Sequence, residues 1–275
     1  MRLVEENLRS YGEDGYLLLP DLFSADEVAL LKQQLHEELR GAAERKVAEK
    51  GGQVVRSVYG SHDHNEVFRR LARHPRLVEP AVDLLGGPVY VYQFKINLKA
   101  AFGGDLWEWH QDYIFWLEED GLPEPHLTSA VVFLDDVTEF NGPLIFVTGS
   151  HQEGVLRVPA DSGVPSEYAG SPDWISNLTA DLKYSIDPAT LSRLVTERSM
   201  VAPKGGSGTA LFFHPNLVHG STQNMSPFDR AIAIVTYCRV DNVPRSDGPR
   251  RPEFLVSRDT SPIQPVPDDS LLHAV

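Results

Sequence analysis

The stretch WEWHQDYIFW, residues 107–116, sets His110 two positions before Asp112 inside a dense aromatic run. On a strand, residues i and i+2 point to one face. His110 and Asp112 would then aim an imidazole and a carboxylate at one point. Such a pair is either half of a metal site or a His–Asp contact that stabilises a fold. Further along, ALFFHPNLVHGSTQN carries His219, and Arg230 opens an apolar strand eleven residues later. Two histidines and one carboxylate make the facial triad of non-heme Fe(II) oxygenases, which leaves coordination positions open. An arginine beside them can grip a carboxylate with its planar fork. Together these residues point to Fe(II) with 2-oxoglutarate as co-substrate.

The elements that must position them follow from periodicity. Ser24 and Glu27 have capping-box spacing, Val28, Leu31, Leu35 and Leu39 recur at helical intervals, and Gly41 offers a stop. Residues 64–86 read as two shorter helices, punctuated by Pro75 and closed by Gly86-Gly87, after a loop at 41–62 with a short strand near Val54–Val58. From Pro88 the period changes to two. Tyr90, Tyr92, Phe94, Ile96 and Leu98 fall on one face, and Gln93, Lys95, Asn97 and Lys99 on the other. Taken alone, that polar face reads equally well as a solvated one. Further strands are expected at 127–135, 143–148, 209–213 and 230–240, separated by Asn141-Gly142-Pro143 and Gly205-Gly206-Ser207-Gly208. Residues 159–200 are polar and proline-punctuated, with a weak helix at 189–197, and read as a binding loop or lid.

This order of elements predicts an α+β fold: a jelly-roll (double-stranded β-helix, cupin-like) core with N-terminal helices packed on one sheet. It is expected as a single domain over 1–275. Residues 1–87 form a helical N-terminal part, 88–240 the core with its 159–200 insert, and 241–275 a Pro-rich tail over the surface.

Composition narrows the function classes. Asp and Glu number 39 against 25 Lys and Arg, a net charge of −14 that disfavours nucleic acid and anionic membranes. The one cysteine, Cys238, forms no intrachain disulfide and excludes cysteine zinc sites. No run reaches the ~18 apolar residues of a membrane span, and MRLVEENLRS lacks a signal-peptide pattern. Cytoplasm is the expected location, and a small molecule the expected partner.

Other candidates read as structural. His62-Asp63-His64 is a solvated turn before it is a metal clip, and His151 a structural hydrogen-bonder. His214 lies at odd spacing from His219, so it faces away from it or sits on the pocket rim. His126 has no defined role. Trp109 and Phe115 read as core. PKGGSGT at 203–209 is a hairpin turn and not a phosphate loop, since no Gly-Lys-Ser/Thr follows.

Several blocks extend the triad: W-x-WHQD-x-x-x-W, YVYQFKIN-x-KA, NGPLIFVTGSH, VHGS-x-x-N with the later Arg, NMSP, and RPEFL-x-x-RD. The chain resembles the phytanoyl-CoA dioxygenase superfamily of Fe(II)/2-oxoglutarate oxygenases, over nearly its whole length and most of all in the branch that hydroxylates small amino acids. The resemblance implies His110, Asp112 and His219 as iron ligands and as the catalytic set. It implies that Arg230, helped by Ser221, binds the far carboxylate of 2-oxoglutarate, with Lys99 and Asn97 beside it. Gln93 and Trp116 are implied as substrate contacts. Arg56, in VVRSVYG, is expected to hold the substrate carboxylate, against the alternative of a surface arginine. Cofactors implied are Fe(II), 2-oxoglutarate and O2, with ascorbate as a stimulant. The implied reaction hydroxylates an unactivated C–H of a small amino acid, free L-proline to trans-4-hydroxy-L-proline, with succinate and CO2 as co-products. Rival readings are a hydroxylase of ectoine, of another amino acid or of a natural-product intermediate, and a non-catalytic jelly-roll binding protein. Halogenases of the superfamily lack the carboxylate that Asp112 supplies, so hydroxylation is expected.

Overall fold

The computed structural model describes residues 1–41, 43–49, 52–157, 173–178, 182–245 and 251–274. Two antiparallel sheets face each other in an open jelly roll. The larger holds seven strands: β1 (Tyr16–Leu19), β2 (Lys46–Ala48), β3 (Val55–Tyr59), β4 (Val89–Lys99), β6 (Leu127–Phe133), β9 (Ala210–Phe213) and β11 (Arg230–Arg239), in the order β1-β9-β6-β11-β4-β3-β2. The smaller holds β5 (Trp107–His110), β7 (Leu144–Val147), β8 (Met200–Val201) and β10 (His219–Ser221), in the order β5-β10-β7-β8. The α+β jelly-roll reading holds.

Helices cover the outer face of the larger sheet. They are α1 (Glu5–Asp14), α2 (Ala25–Arg40), α4 (Glu66–Ala72) and α5 (Pro75–Leu85), with the short α3 (Ser61–His64) leading into α4. The expected capping box is present: the Glu27 amide donates to Ser24 Oγ and the Ser24 amide to Glu27. Leu31 and Leu35 of α2, Phe68 and Leu71 of α4, and Leu77 and Val78 of α5 pack with Phe94, Ile96, Val132 and Val235 of the sheet. Such helices are held mainly by this apolar face rather than by intrinsic propensity. Between the sheets, Val131, Phe133, Phe146, Phe213 and Ile234 form a separate layer. His62, His64 and Asp63 lie in α3 and not in a loop, and the His62 ring stacks on Phe94 with centroids 5.3 Å apart.

Three sequence expectations need correction. The first concerns β4. Its pairing with β11 shifts between Thr236, opposite Gln93, and Tyr237, opposite Val91. Tyr92 is the extra residue of this bulge. A bulge resets the side-chain alternation. Phe94 and Ile96 therefore join the helix-side core, whereas Tyr90 and Tyr92 join Tyr59, Tyr113 and Trp116 on the other face. Second, His110 ends β5 and Asp112 opens α6 (Asp112–Asp120), so the two ligands are not neighbours on one strand. Third, the tail does more than run over the surface. Leu255 and Leu271 are fully buried, and the Ser257 amide donates to Tyr92 O. Of the 159–200 insert, residues 159–172 and 179–181 lie outside the described residues, and α7 (Pro188–Glu197) realises the weak helix.

Candidate metal centre and active site

The triad is assembled by strand register and a helix start. His110 and His219 are paired across β5 and β10, with ring centroids 4.2 Å apart. Asp112 reaches them from the first turn of α6, its Oδ1 3.7 Å from His110 Nε2 and 4.0 Å from His219 Nε2. Ligand atoms from all three buried residues lie within 4.8 Å of one another.

Backbone carbonyls orient both rings. His110 Nδ1 donates to Glu108 O at 2.6 Å, and His219 Nδ1 to Leu217 O at 2.9 Å. That fixes the tautomer with the Nε2 lone pair free, the usual arrangement around a metal-binding histidine. Burial, with His110 alongside, pushes His219 down to about 3, so the ring is held neutral as a ligand requires. Burial alone would raise Asp112, but the Lys95 ammonium beside it outweighs that and holds the carboxyl below its ordinary range. Asp112 Oδ2 is buried and has no hydrogen-bond partner among the described residues. Buried polar atoms are normally satisfied, and a divalent cation would satisfy this one. The donor set fits Fe(II).

A second cluster sits at the end of β4. Lys99 is opposite Arg230 in the β4–β11 register, and Ser221 opposite Leu144. Lys99 Nζ donates to Asp105 O at 2.6 Å and to Thr222 O, and Arg230 donates to Gly142 O. Gly142 has φ +72°, and a Cβ there would lie 2.6 Å from Lys99 Cδ, so the Asn-Gly-Pro turn needs its glycine to let Lys99 pass. Burial, then Arg230 and Arg56, pushes Lys99 down to about 6. Burial likewise lowers Arg230, to about 10. Ser221 Oγ and Arg230 Nε are buried and unpartnered among the described residues. Crowded, desolvated cations with spare donors suit an anion. The far carboxylate of 2-oxoglutarate is of that kind.

A cavity lies over the triad. Its walls include the expected Gln93, Asn97 and Trp116 with His110, Asp112 and His219. Gln93 Nε2 donates to Leu255 O at 2.8 Å, its carbonyl oxygen has no partner among the described residues, and Asn97 Oδ1 accepts from Ser57 Oγ at 2.8 Å. Lys99, Ser221 and Arg230 do not line this cavity. Phe115, expected as core, does line it.

Arg56 is not brought to the cavity. It is fully buried, ion-paired with Glu49 at 2.8 Å, and donates to Leu106 O at 2.8 Å. Its guanidinium lies 3.7 Å from the Trp107 ring centroid. This corrects the expectation of a substrate hook: the charge is already matched, and it braces the chain just before His110. His214 is also away from the site, packed on His151 at 4.9 Å.

Sequence reasoning gave no role to Lys95, Tyr59, Arg251, Leu178 or Leu182, all of which line the cavity. Lys95 was legible, since it shares the period-two face of Gln93 and Asn97. Arg251 was not. It arrives from the tail and forms a two-point ion pair with Asp120, which also accepts from Tyr92 Oη.

Comparison with known proteins agrees with this geometry. The phytanoyl-CoA dioxygenase (PhyH) family matches residues 11–232. The chain is 42% identical over 269 residues, 98% of each chain, to an L-proline trans-4-hydroxylase of Streptomyces griseoviridis. It is 36% identical to an ectoine dioxygenase of Sphingopyxis alaskensis, over 90% of this chain and 81% of that one. The crystal structure of EctD from S. alaskensis with 2-oxoglutarate and 5-hydroxyectoine matches with a TM-score of 0.79 at 31% identity, covering 95% of this chain and 86% of that one. The open jelly roll and its buried two-histidine, one-carboxylate centre define an Fe(II)- and 2-oxoglutarate-dependent dioxygenase. The chain belongs to the phytanoyl-CoA dioxygenase family.

Proposed function

We infer that this enzyme hydroxylates an unactivated C–H of a free small amino acid, converting L-proline to trans-4-hydroxy-L-proline. The observation that carries the reading is 42% identity to a proline trans-4-hydroxylase over 98% of both chains, joined to a cavity that holds the triad and polar groups suited to an amino acid.

In this reading His110, Asp112 and His219 hold Fe(II). Arg230 and Lys99 bind the far carboxylate of 2-oxoglutarate, Ser221 Oγ donates to it, and Asn97 stands at the near end. Iron with 2-oxoglutarate and O2 supplies the oxidation: one oxygen atom enters the substrate C–H, the other enters succinate, and CO2 leaves. The protein's own work is orientation and exclusion of water. The Gln93 carbonyl accepts from the substrate ammonium. Trp116, seated edge-on against Tyr92 at 5.3 Å, walls the apolar side with Phe115. Leu178 and Leu182 bring the insert to the cavity, so residues of that segment help keep water out.

The test is product analysis after aerobic incubation with Fe(II), 2-oxoglutarate, ascorbate and a panel of L-proline, other amino acids and ectoine. The reading predicts a hydroxylated product from L-proline that co-elutes with trans-4-hydroxyproline. Turnover of ectoine with proline untouched would move the chain to the ectoine reading, which the 36% identity to an ectoine dioxygenase supports. No consumption of 2-oxoglutarate under any condition would favour a binding protein.

A further inference from the structure

The polar side chains that line the catalytic cavity are mostly donors. Lys95 and Arg251 carry only N–H groups, and Trp107 and Trp116 offer one indole N–H each. Side-chain acceptors are few among the described residues. His110, Asp112 and His219 turn theirs to the metal centre. Asn97 Oδ1 is taken by Ser57 Oγ at 2.8 Å. Two acceptors are left. One is Gln93 Oε1, whose amide nitrogen is spent on Leu255 O. The other is the hydroxyl of Tyr59, a residue only 1% exposed. Ser57, two residues earlier on β3, is its polar neighbour, and the Ser57 proton already goes to Asn97. The buried hydroxyl of a tyrosine normally finds a partner. Burial pushes this one up to about 12, so it stays a neutral phenol that both accepts and donates.

We propose that Tyr59 Oη binds the ammonium of the amino-acid substrate, as the second acceptor beside Gln93 Oε1. This rests on the amino-acid hydroxylase reading and adds the residue that completes recognition of the amine. Tyr59 is paired with Lys95 in the β3–β4 register, so Gln93 is its diagonal neighbour on the same face. Diagonal cross-strand neighbours stand roughly 7–8 Å apart, within reach of aromatic and long side chains. Their two oxygens can therefore converge on one nitrogen. A cyclic secondary ammonium has two N–H donors, and the cavity supplies one acceptor for each. Desolvating an ammonium without such partners is costly, the more so in a cavity that already holds two cations. An acid that lacks the amine leaves both acceptors unpaired when it binds, and that is the basis of selection.

The test titrates anaerobic enzyme loaded with Fe(II) and 2-oxoglutarate by calorimetry, without turnover. The ligands are L-proline and cyclopentanecarboxylate, which keeps the ring and the acid and lacks the nitrogen. If the wild type hydroxylates a different amino acid, that one and its amine-free acid replace them, so a wrong substrate changes the ligands and not the test. Tyr59→Phe removes only the hydroxyl. It should weaken L-proline by at least about tenfold, the size of a hydrogen bond to a charged group, and leave cyclopentanecarboxylate within about threefold. Fe(II) and 2-oxoglutarate affinities should be kept, and they report that the variant is folded. Undiminished affinity for L-proline would overturn the proposal. Equal losses on both ligands would also defeat it, since Tyr59 would then be a wall of the cavity and not a reader of the amine. If the variant does not fold, the wild type decides through N-methyl-L-proline, which has one N–H. Binding at least about tenfold weaker than that of L-proline is expected, and equal affinity would reject the role of Tyr59.

Discussion

Asp112 is where hydroxylation is decided at the scale of single residues. It supplies the carboxylate of the triad, and its Oδ2 has no hydrogen-bond partner among the described residues. Asp112→Gly should weaken Fe(II) binding by at least about 100-fold, beyond what loss of an outer-shell contact costs, and abolish hydroxylation. Equilibrium iron binding and product analysis check this, and full turnover by the variant without added carboxylate would contradict the assignment. Lys99 makes a pH prediction. With its pKa pushed to about 6, free Lys99 is mostly neutral above that pH. A bound dianion favours the ammonium, so binding of 2-oxoglutarate above about pH 6 takes up a proton. Affinity should be greatest below pH 6 and fall by up to about tenfold per unit above it, until the pKa of the complex is reached. Titrations across pH 5.5–8.5 should show that slope in wild type and lose it in Lys99→Met. Parallel profiles would exclude Lys99 as its source. Most of these residues were legible because their types are rare in combination. Arg56 was misread because sequence alone shows a basic residue on an apolar strand and cannot show Glu49 beside it.

Elements bring these residues together in ways that periodicity only half predicts. The pairing of β5 with β10 sets His110 beside His219, whereas Asp112 depends on the chain leaving β5 at Gln111 and entering α6. Gln111 holds that corner. Its Nε2 donates to Asn216 O and Gly154 O, and its Oε1 accepts from Leu156 N. A strand pattern read through residues 107–116 misses the corner because aromatic residues suit strand and helix alike. The β4 bulge at Tyr92 was equally hidden, since one inserted residue leaves the period intact on each side. The far end of α6 is tied to the tail by Asp120 and Arg251. Asp120→Asn leaves a buried arginine without its charge partner and should cost about 3–5 kcal/mol, read as a lower urea midpoint with an unchanged slope. A change under 1 kcal/mol would show the pair to be dispensable. Arg56→Ala should likewise destabilise by about 3 kcal/mol through the stranded Glu49, with the amino-acid KM moved less than threefold. A large rise in that KM alone would restore Arg56 to the substrate site.

Across the whole molecule, the jelly roll was readable because its strands are short, apolar and separated by turn residues, and because α2 carries a clean capping box; α1, which has no side-chain cap, was not read. The partnership of distant segments was not. Nothing in residues 251–257 announces that Arg251 reaches the cavity or that Leu255 O holds Gln93, because those contacts cross more than a hundred residues. The same holds for Leu178 and Leu182, which join the cluster of Phe115 and Trp116 and line the cavity. The account as a whole claims that this cavity couples decarboxylation of 2-oxoglutarate to oxygen insertion into a bound amino acid. The most direct measurement is turnover of L-proline under ¹⁸O2, with mass analysis of both products. One labelled oxygen in hydroxyproline and one in succinate, formed in equal amounts, is the predicted result. Unlabelled hydroxyproline, or succinate formed at a rate indifferent to the amino acid, would contradict it.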